Sequence, residues 1–330
     1  MRNLITDVAG LKVGNAEDLR LGSGVTTIVF DEPAIAAVDV RGGAPGTRET
    51  DLLALERTVE RIDALVLSGG SAFGLDAAAG AMASLAEQGR GFAVGPARVP
   101  IVPAAILFDL ANGGAKAWGR YAPYRELGYA ATQAAALDFA CGSVGAGTGA
   151  TTATCKGGLG SASAQAGRFR IGAIVAVNAL GSLTIGDGAH FWAAPFEKAG
   201  EYGGLGLPQP LPPDALALRV KSARAENTTI ALVVTDAALT KAQAKHLAVM
   251  AQDGLARAIY PVHTPLDGDT VFAAATGTSS ALATVPDMIA LGAEAAHVLA
   301  RACARAIFSA TSLPFEASGS SWAEKFGRRA

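Results

Sequence analysis

Short apolar runs alternate along this chain with long Ala/Leu-rich periodic ones, and those two lengths restrict it to a few layered architectures. GVTTIVF (24–30) and AIAAVDV (34–40) read as the arms of a β-hairpin, with Asp31-Glu32-Pro33 as its turn. ALVLSGG (64–70) reads as a buried strand, and further strands are expected within 168–183, at 227–237 and at 270–276. Helices are expected over 51–62, capped by Thr50, then over 72–88, near 126–140, over 240–259 and over 288–310. Strands in hairpins with helices in pairs predict a sheet sandwich flanked by helices rather than strict βαβ alternation. The 40 glycines cluster at strand–helix junctions, where tight turns and close backbone approach need them. Residues 199–222, with four prolines and Gly203-Gly204, read as a linker within a single domain spanning 1–330.

Composition removes several functional classes. Half of the 330 residues are hydrophobic, enough for a large core. Only 17% are charged, which points to surface buried between subunits and hence to a homo-oligomer. The 27 basic and 29 acidic residues form no basic stripe, so nucleic acid is not an expected partner. MRNLITD at the start holds no apolar signal-peptide core, so no secretory signal is expected. The apolar stretch 288–310 carries Glu294, His297, Arg301 and Arg305, which argues against a membrane span. Three cysteines without a CxxC pair fit a reducing cytoplasm. Four scattered histidines with no HExxH or HxH argue against a metal site. None of them announces itself as the base of a Ser-His-acid hydrolase, so catalysis must rest on other groups.

Two glycine-rich runs, SGGSAFG (68–74) and VGAGTGATT (144–152), have the look of phosphate cradles. Neither matches GxxxxGK[ST] or a dinucleotide fingerprint, and Ser71 lacks the following glycine of a nucleophile elbow, so tight packing is the default and no cofactor is expected. Lys156, in ATCKGGLGS, is either an ordinary solvated lysine or a placed charge beside Gly157-Gly158. Cys155 has no histidine near it in sequence and reads as core. Asn178 interrupts the apolar run IVAVNALG, where an unsatisfied amide costs about 1–3 kcal/mol. It is either a turn residue or a donor aimed at a developing oxyanion. Asp267 and Asp269, in HTPLDGDTVF, are two apart and face one side of an extended segment. They form either an Asp-Gly turn or a pair of carboxylates whose pKa values are driven apart.

Threonine acts as a nucleophile without histidine when it is N-terminal, its own α-amine serving as base with a pKa of about 7.7–8.0. Thr228 opens the strand of NTTIALVVTDA but is internal, so the Asn227–Thr228 bond would first have to be cut. Its hydroxyl would attack the Asn227 carbonyl, giving an ester that water opens.

ENTTIALVVTDA, LDGDTVFAAATG, VGAGTGATT followed by KGG, VRGGAPGTRETDLL and LSGGSAFGLDAAAG together resemble the L-aminopeptidase/D-esterase family. Its relatives include the β-peptidyl aminopeptidases and the nylon-oligomer endo-hydrolase. The resemblance implies an α/β (α+β) chain folded as a four-layer αββα sandwich of N-terminal-nucleophile type, self-cleaved into a large chain 1–227 and a small chain 228–330. Carried over by motif, Thr228 matches the nucleophile, Asn227 the residue before the cut, and Lys156 the lysine of the KGG motif. Asn178 matches the oxyanion-hole asparagine, and Asp267 and Asp269 the acidic pair. Threonine in place of serine, Asp-Gly-Asp in place of Ser-x-Glu, and Ala153 in place of a tyrosine are similar to the threonine branch of the nylon-oligomer hydrolase. The resemblance thus implies a hydrolase of small peptides or amides working as a tetramer of processed αβ units. Its rivals are an acyltransferase of the ornithine acetyltransferase type and an uncleaved ligand-binding protein.

Overall fold

The computed structural model describes residues 1–221 and 227–327; the polar positions 224–226 and linker position 222 lie outside the described residues. In chain order the strands are β1 (Leu11–Asp18), β2 (Ser23–Val40), β3 (Thr47–Arg48), β4 (Arg61–Ser68), β5 (Phe92–Val94), β6 (Ala97–Val99) and β7 (Ala104–Ile106). β8 (Gly158–Ala166), β9 (Phe169–Asn178), β10 (Thr228–Thr235) and β11 (Thr270–Ala275) complete them. The helices are α1 (Ala77–Glu87), α2 (Tyr124–Gln133), α3 (Lys241–Ala258), α4 (Val285–Phe308) and the short α5 (Trp322–Phe326). One sheet runs β3-β7-β4-β2-β11-β10-β9-β8, with β1 also on β2; β5 and β6 form a separate hairpin.

Alternation along the strands sorts the core into three. Val25 and Val29 on β2, with Ala64 and Val66 on β4, meet Ala77, Ala81 and Leu85 of α1 and Ala131 of α2. The intervening Ile28, Phe30, Leu65 and Leu67 face inward onto Ile174, Ile230, Leu232, Val234 and Phe272 from β9, β10 and β11. The opposite faces of those strands, with Val175, Val177, Ala231, Val233 and Ala273, meet Leu247, Leu255, Leu291 and Leu299 of α3 and α4. Three apolar interfaces require four layers, helices, sheet, sheet, helices, so the chain is an αββα sandwich made by one sheet folded over itself.

The fold turns at β2. The expected hairpin at 24–40 is instead one strand of 18 residues. Its first half pairs with β1 and β4 and its second half with β11. Asp31-Glu32-Pro33 forms an irregularity in the β4 register, not a turn. Asp31 N–H donates to Gly10 O at 2.9 Å, and Pro33, which has no N–H to give, is tolerated where the ladder is broken.

The helix expected over 51–62 is also absent. A single 3₁₀ turn covers Asp51–Leu53, Thr50 makes no side-chain cap, and β4 begins at Arg61. Lys241 on α3 takes the carbonyls of Leu52, Arg57 and Val59 at 3.0–3.2 Å, acceptors that a helix would have used internally. α2 stops at Gln133 because Ala136 bridges to Val13 of β1 through bonds of 3.0 Å in both directions. α3 starts within a residue of its expected position and α4 three residues before the expected 288, each on a capping box, Thr240 with Gln243 and Thr284 with Asp287.

The stretch read as a linker is anchored at its start. Arg301 of α4 holds Glu201 through Nε at 2.5 Å and Nη2 at 3.0 Å, and also bonds Ser163 O and the Asn3 side chain. Burial pushes the Glu201 carboxyl up, but the bonds from Arg301, Asn3 and the Lys198 N–H, with the Arg301 charge, together outweigh it and leave the group below its usual range. Both side chains are almost wholly buried. Arg301→Met leaves that carboxylate with Asn3, the Lys198 N–H and, at 3.7 Å, Arg305, and should cost about 1.5–3 kcal/mol of unfolding free energy, read from the urea midpoint.

Candidate active site

β10 lies between β9, antiparallel to it, and β11, parallel to it, and its buried run Ile230–Val234 leaves one register that hides every apolar side chain. That register sets the first residues of the strand. Thr228 faces Asn178, the last residue of β9, and Asn227 bridges in parallel to Asp267. The polar mouth of the strand is thus caught between the end of one neighbour and the acidic turn that leads into the other.

Thr228 is 3% exposed, and its Oγ1 donates to the carbonyl oxygen of Asn227 at 2.5 Å. The same oxygen accepts the N–H of Gly268 at 2.8 Å. A side chain at 268 has no room: a Cβ there would lie 2.7 Å from Thr228 Oγ1 and 2.7 Å from Ala44 O.

The two aspartates grip different strands. Asp267 accepts Leu180 N–H at 3.2 Å just past β9, and Thr264 N–H and Oγ1–H at 3.0 and 2.7 Å. Asp269 accepts Thr229 N–H at 2.8 Å through one oxygen, and through the other His263 N–H at 3.0 Å and the His263 ring at 2.9 Å. In the intact chain one carboxylate therefore holds the backbone just after Thr228 and the other the backbone just past β9, and neither takes the Thr228 hydroxyl. Burial, and then the Asp269 charge, raise the Asp267 pKa above the ordinary carboxylate range. The glycine run after β2 covers this turn. Arg41 and Ala44 N–H groups donate to Asp269 O at 3.0 Å and Asp267 O at 2.8 Å, and a Cβ on Gly42 would sit 2.3 Å from Asp267 O.

Lys156 is not a solvated lysine. It is fully buried, and Nζ donates to the carbonyls of Gly147, Ala150 and Gly157 at 3.2, 2.7 and 3.1 Å, so the glycine run 144–152 wraps an ammonium rather than a phosphate. Burial drives its pKa down to about 7. Asn178 ends a strand and does not start a turn: its Oδ1 accepts Thr151 N–H at 3.0 Å and its Nδ2 donates to Phe108 O at 2.9 Å. Cys155 is buried with its thiol pKa pushed up, which leaves it inert.

Three groups escape sequence reading. Lys221, at the end of the linker, puts Nζ 3.1 Å from Asn178 Oδ1, 3.2 Å from Asn178 O and 3.1 Å from Thr151 Oγ1. Burial lowers its pKa to about 7 as well. Nothing local marks it. His263 does stand at the site, contrary to the expectation that no histidine is well placed. Its φ of 55° is a left-handed conformation held by two bonds to one carboxylate oxygen. Its only signal was its nearness to the acidic pair. Gly268 was visible solely as the middle of Asp-Gly-Asp. Among the described residues no group of three or more His, Cys, Asp and Glu is arranged to hold a metal ion. No described helix is long and apolar enough to cross a membrane.

The model of peptidase family S58 matches residues 3–319. The chain belongs to that family. This S58 peptidase is 43% identical over 332 residues to a protein of Mycobacterium tuberculosis described as an uncharacterized aminopeptidase, covering 93% of this chain and 94% of the relative. It is 30% identical over 284 residues to the 6-aminohexanoate-oligomer endohydrolase of a Kocuria strain, covering 82% and 74%. Among solved structures it resembles the L-aminopeptidase D-Ala-esterase/amidase of Ochrobactrum anthropi, described as a variant of the Ntn-hydrolase fold, at a TM-score of 0.68 and 20% identity over 100% of this chain and 95% of that one. A Burkholderia β-aminopeptidase matches at a TM-score of 0.71 and 21% identity, over 98% and 92%. The S58 peptidase is thus an amide hydrolase with an Ntn-type fold.

Two outcomes follow from the packing of this S58 site. Gly268→Ala should lower the unfolding free energy by about 1–3 kcal/mol, read from the urea midpoint, since the added Cβ would lie 2.7 Å from both Ala44 O and Thr228 Oγ1. Lys156 titrates near 7 folded and near its ordinary 10.5 unfolded, so between those values the unfolded chain binds more protons. Its stabilising contribution is complete above pH 10.5 and lost as pH falls through about 7. Unfolding free energy measured from about pH 7 to about pH 10 should rise more steeply in the parent than in Lys156→Met.

Proposed function

We propose that the chain is a precursor that cuts its own Asn227–Thr228 bond and then hydrolyses amide bonds of small peptides or amides through Thr228 as N-terminal nucleophile. The observation that carries this reading is the Thr228 hydroxyl at 2.5 Å from the carbonyl oxygen of the bond to be opened. In the first step Oγ1 bonds to the Asn227 carbonyl carbon, the C–N bond breaks and the hydroxyl proton ends on the Thr228 nitrogen. Water then adds to the ester, Oγ1 leaves with a proton, and Thr228 gains a free α-amine with an ordinary pKa of about 7.7–8.0. That amine takes the hydroxyl proton in each later turnover, as a base poised near neutral pH. Asn178 supplies the donor to the substrate oxyanion, Lys156 holds the glycine run beside it, and Asp267 and Asp269 keep the strand mouth aligned.

Burial supports the order of events. Thr228, Asn178, Lys156, Asp267 and Asp269 are each at most 3% exposed in the intact chain, so the cut comes before substrate. The aminopeptidase named among the relatives, and the endohydrolase of 6-aminohexanoate oligomers, support an amide substrate carrying a primary amine. The family resemblance implies a tetramer of processed units, and the exposed Leu207, Leu211, Leu216 and Leu218 on the linker offer apolar surface for a contact between copies.

Intact mass spectrometry of fresh protein tests the cut. Fragments of roughly 23 and 10 kDa are expected from a 33.1 kDa chain of 330 residues, the smaller reading Thr-Thr-Ile-Ala at its N-terminus. Thr228→Ala should remain whole and inactive. A fully active enzyme that stays one uncut chain refutes the mechanism, and native mass spectrometry of the same sample reads the assembly.

A further inference from the structure

Self-cleavage and turnover stabilise different carbonyl oxygens, and the site holds a separate donor for each. Resting on the self-cleavage reading above, we infer that the backbone N–H of Gly268 is the oxyanion donor of the self-cleavage step, and that Asn178 serves only the later turnover. In the uncut chain Gly268 N–H already lies 2.8 Å from the Asn227 carbonyl oxygen. The Thr228 hydroxyl, which also donates to that oxygen, ceases to be a donor once it attacks. Negative charge then develops on an oxygen towards which the Gly268 N–H is already aimed, inside a site from which water is excluded.

The Asn178 amide is committed elsewhere. Thr151 N–H and Lys221 Nζ both sit on its Oδ1, at 3.0 and 3.1 Å. Two donors on the oxygen fix which end of the amide is which, and turn Nδ2 towards Phe108 O at 2.9 Å, beyond β7. Asn178 also faces Thr228 itself across the β9–β10 ladder, whereas Asn227 lies one residue earlier and bridges to Asp267. A substrate carbonyl approaches Thr228 only after Asn227 has been detached, so the two oxyanions need not share a hole. Gly268 is held to its task from both sides. Its lack of a side chain admits Thr228, and the carboxylates of Asp267 and Asp269 anchor the turn it occupies to β9 and β10.

The atoms balance as in the proposed cut: Oγ1–C forms, C–N breaks, the proton passes to the Thr228 nitrogen, and water is the only other reactant. The test follows fragment formation and p-nitroanilide hydrolysis in the full-length parent and in full-length variants made by cell-free translation. Asn178→Ala should cut itself within about threefold of the parent rate and lose about 10²–10³ in hydrolysis. Asn178→Asp keeps the acceptor for Thr151 and Lys221 while removing the donor, and decides the matter where the alanine variant fails to fold. Glycolate in place of Gly268, which swaps the N–H for an ester oxygen, should cut itself about 10²–10³-fold more slowly. A folded Asn178→Asp that stays whole, or a glycolate chain that cuts at the parent rate, overturns the inference and leaves the self-cleavage reading intact. A parent chain that never cuts removes both.

Discussion

The insertion of β10 between β9 and β11 is the constraint from which the rest of the site follows. Its apolar residues alternate between two cores, one against the opposing sheet half and one against α3 and α4, so a slip of one position would turn both faces inside out. With that register locked, the peptide joining Asn227 to Thr228 has no freedom of its own. Its carbonyl is delivered to Gly268 N–H on one side and to the Thr228 hydroxyl on the other. The precision of the site is borrowed from a large apolar core, each fully buried Leu, Ile or Phe of which contributes about 1.5–3 kcal/mol.

Around that peptide the chain keeps charges dry at considerable cost. Lys156 and Lys221 are both driven to about 7 by burial, and Asp267 is driven up. Isolated, such groups would neutralise or let in water. Here each has polar partners: three carbonyls on Lys156, the Asn178 and Thr151 oxygens on Lys221, and backbone N–H groups on both aspartates. The result is a set of titratable groups whose pKa values have moved towards neutrality within one small region, a condition that acid–base chemistry at neutral pH needs. The left-handed His263 fits the same pattern, backbone strain tolerated where it converges two donors on a carboxylate.

The Arg301–Glu201 network bears on what holds the molecule together should the backbone be opened near 227. It ties α4, from the last third of the chain, to the N-terminal segment, β8 and the linker. β10 is laddered on both edges to strands from either side of that point. Continuity of the fold therefore does not depend on continuity of the chain there.

Much of this was legible in the sequence, and the limits are physical. Helices with long apolar periodicity, such as α3 and α4, read correctly to within a few residues, because periodicity is a local property. β9, β10 and β11 also read correctly, since buried runs bounded by polar residues are distinctive. The failures lie where a distant group overrides local preference. Lys241 takes the carbonyls that would have made a helix of 51–62, Val13 halts α2, and the pairing of β2 with β4 across the bulge and with β11 beyond it turns a predicted hairpin into one long strand. The same division runs through the site. Residue types and spacing, with the family resemblance, singled out Thr228, Asn178, Lys156, Asp267 and Asp269, because a hydroxyl at a strand mouth, an amide in an apolar run and paired carboxylates are unusual where they stand. That Lys221 meets Asn178, that His263 rests on Asp269 and that Gly268 N–H reaches the Asn227 carbonyl were decided only by tertiary structure. The first and last of those contacts join segments whose proximity depends on strand register and layer packing, and the His263 contact, though only six residues long, needs a left-handed backbone that no local pattern announced.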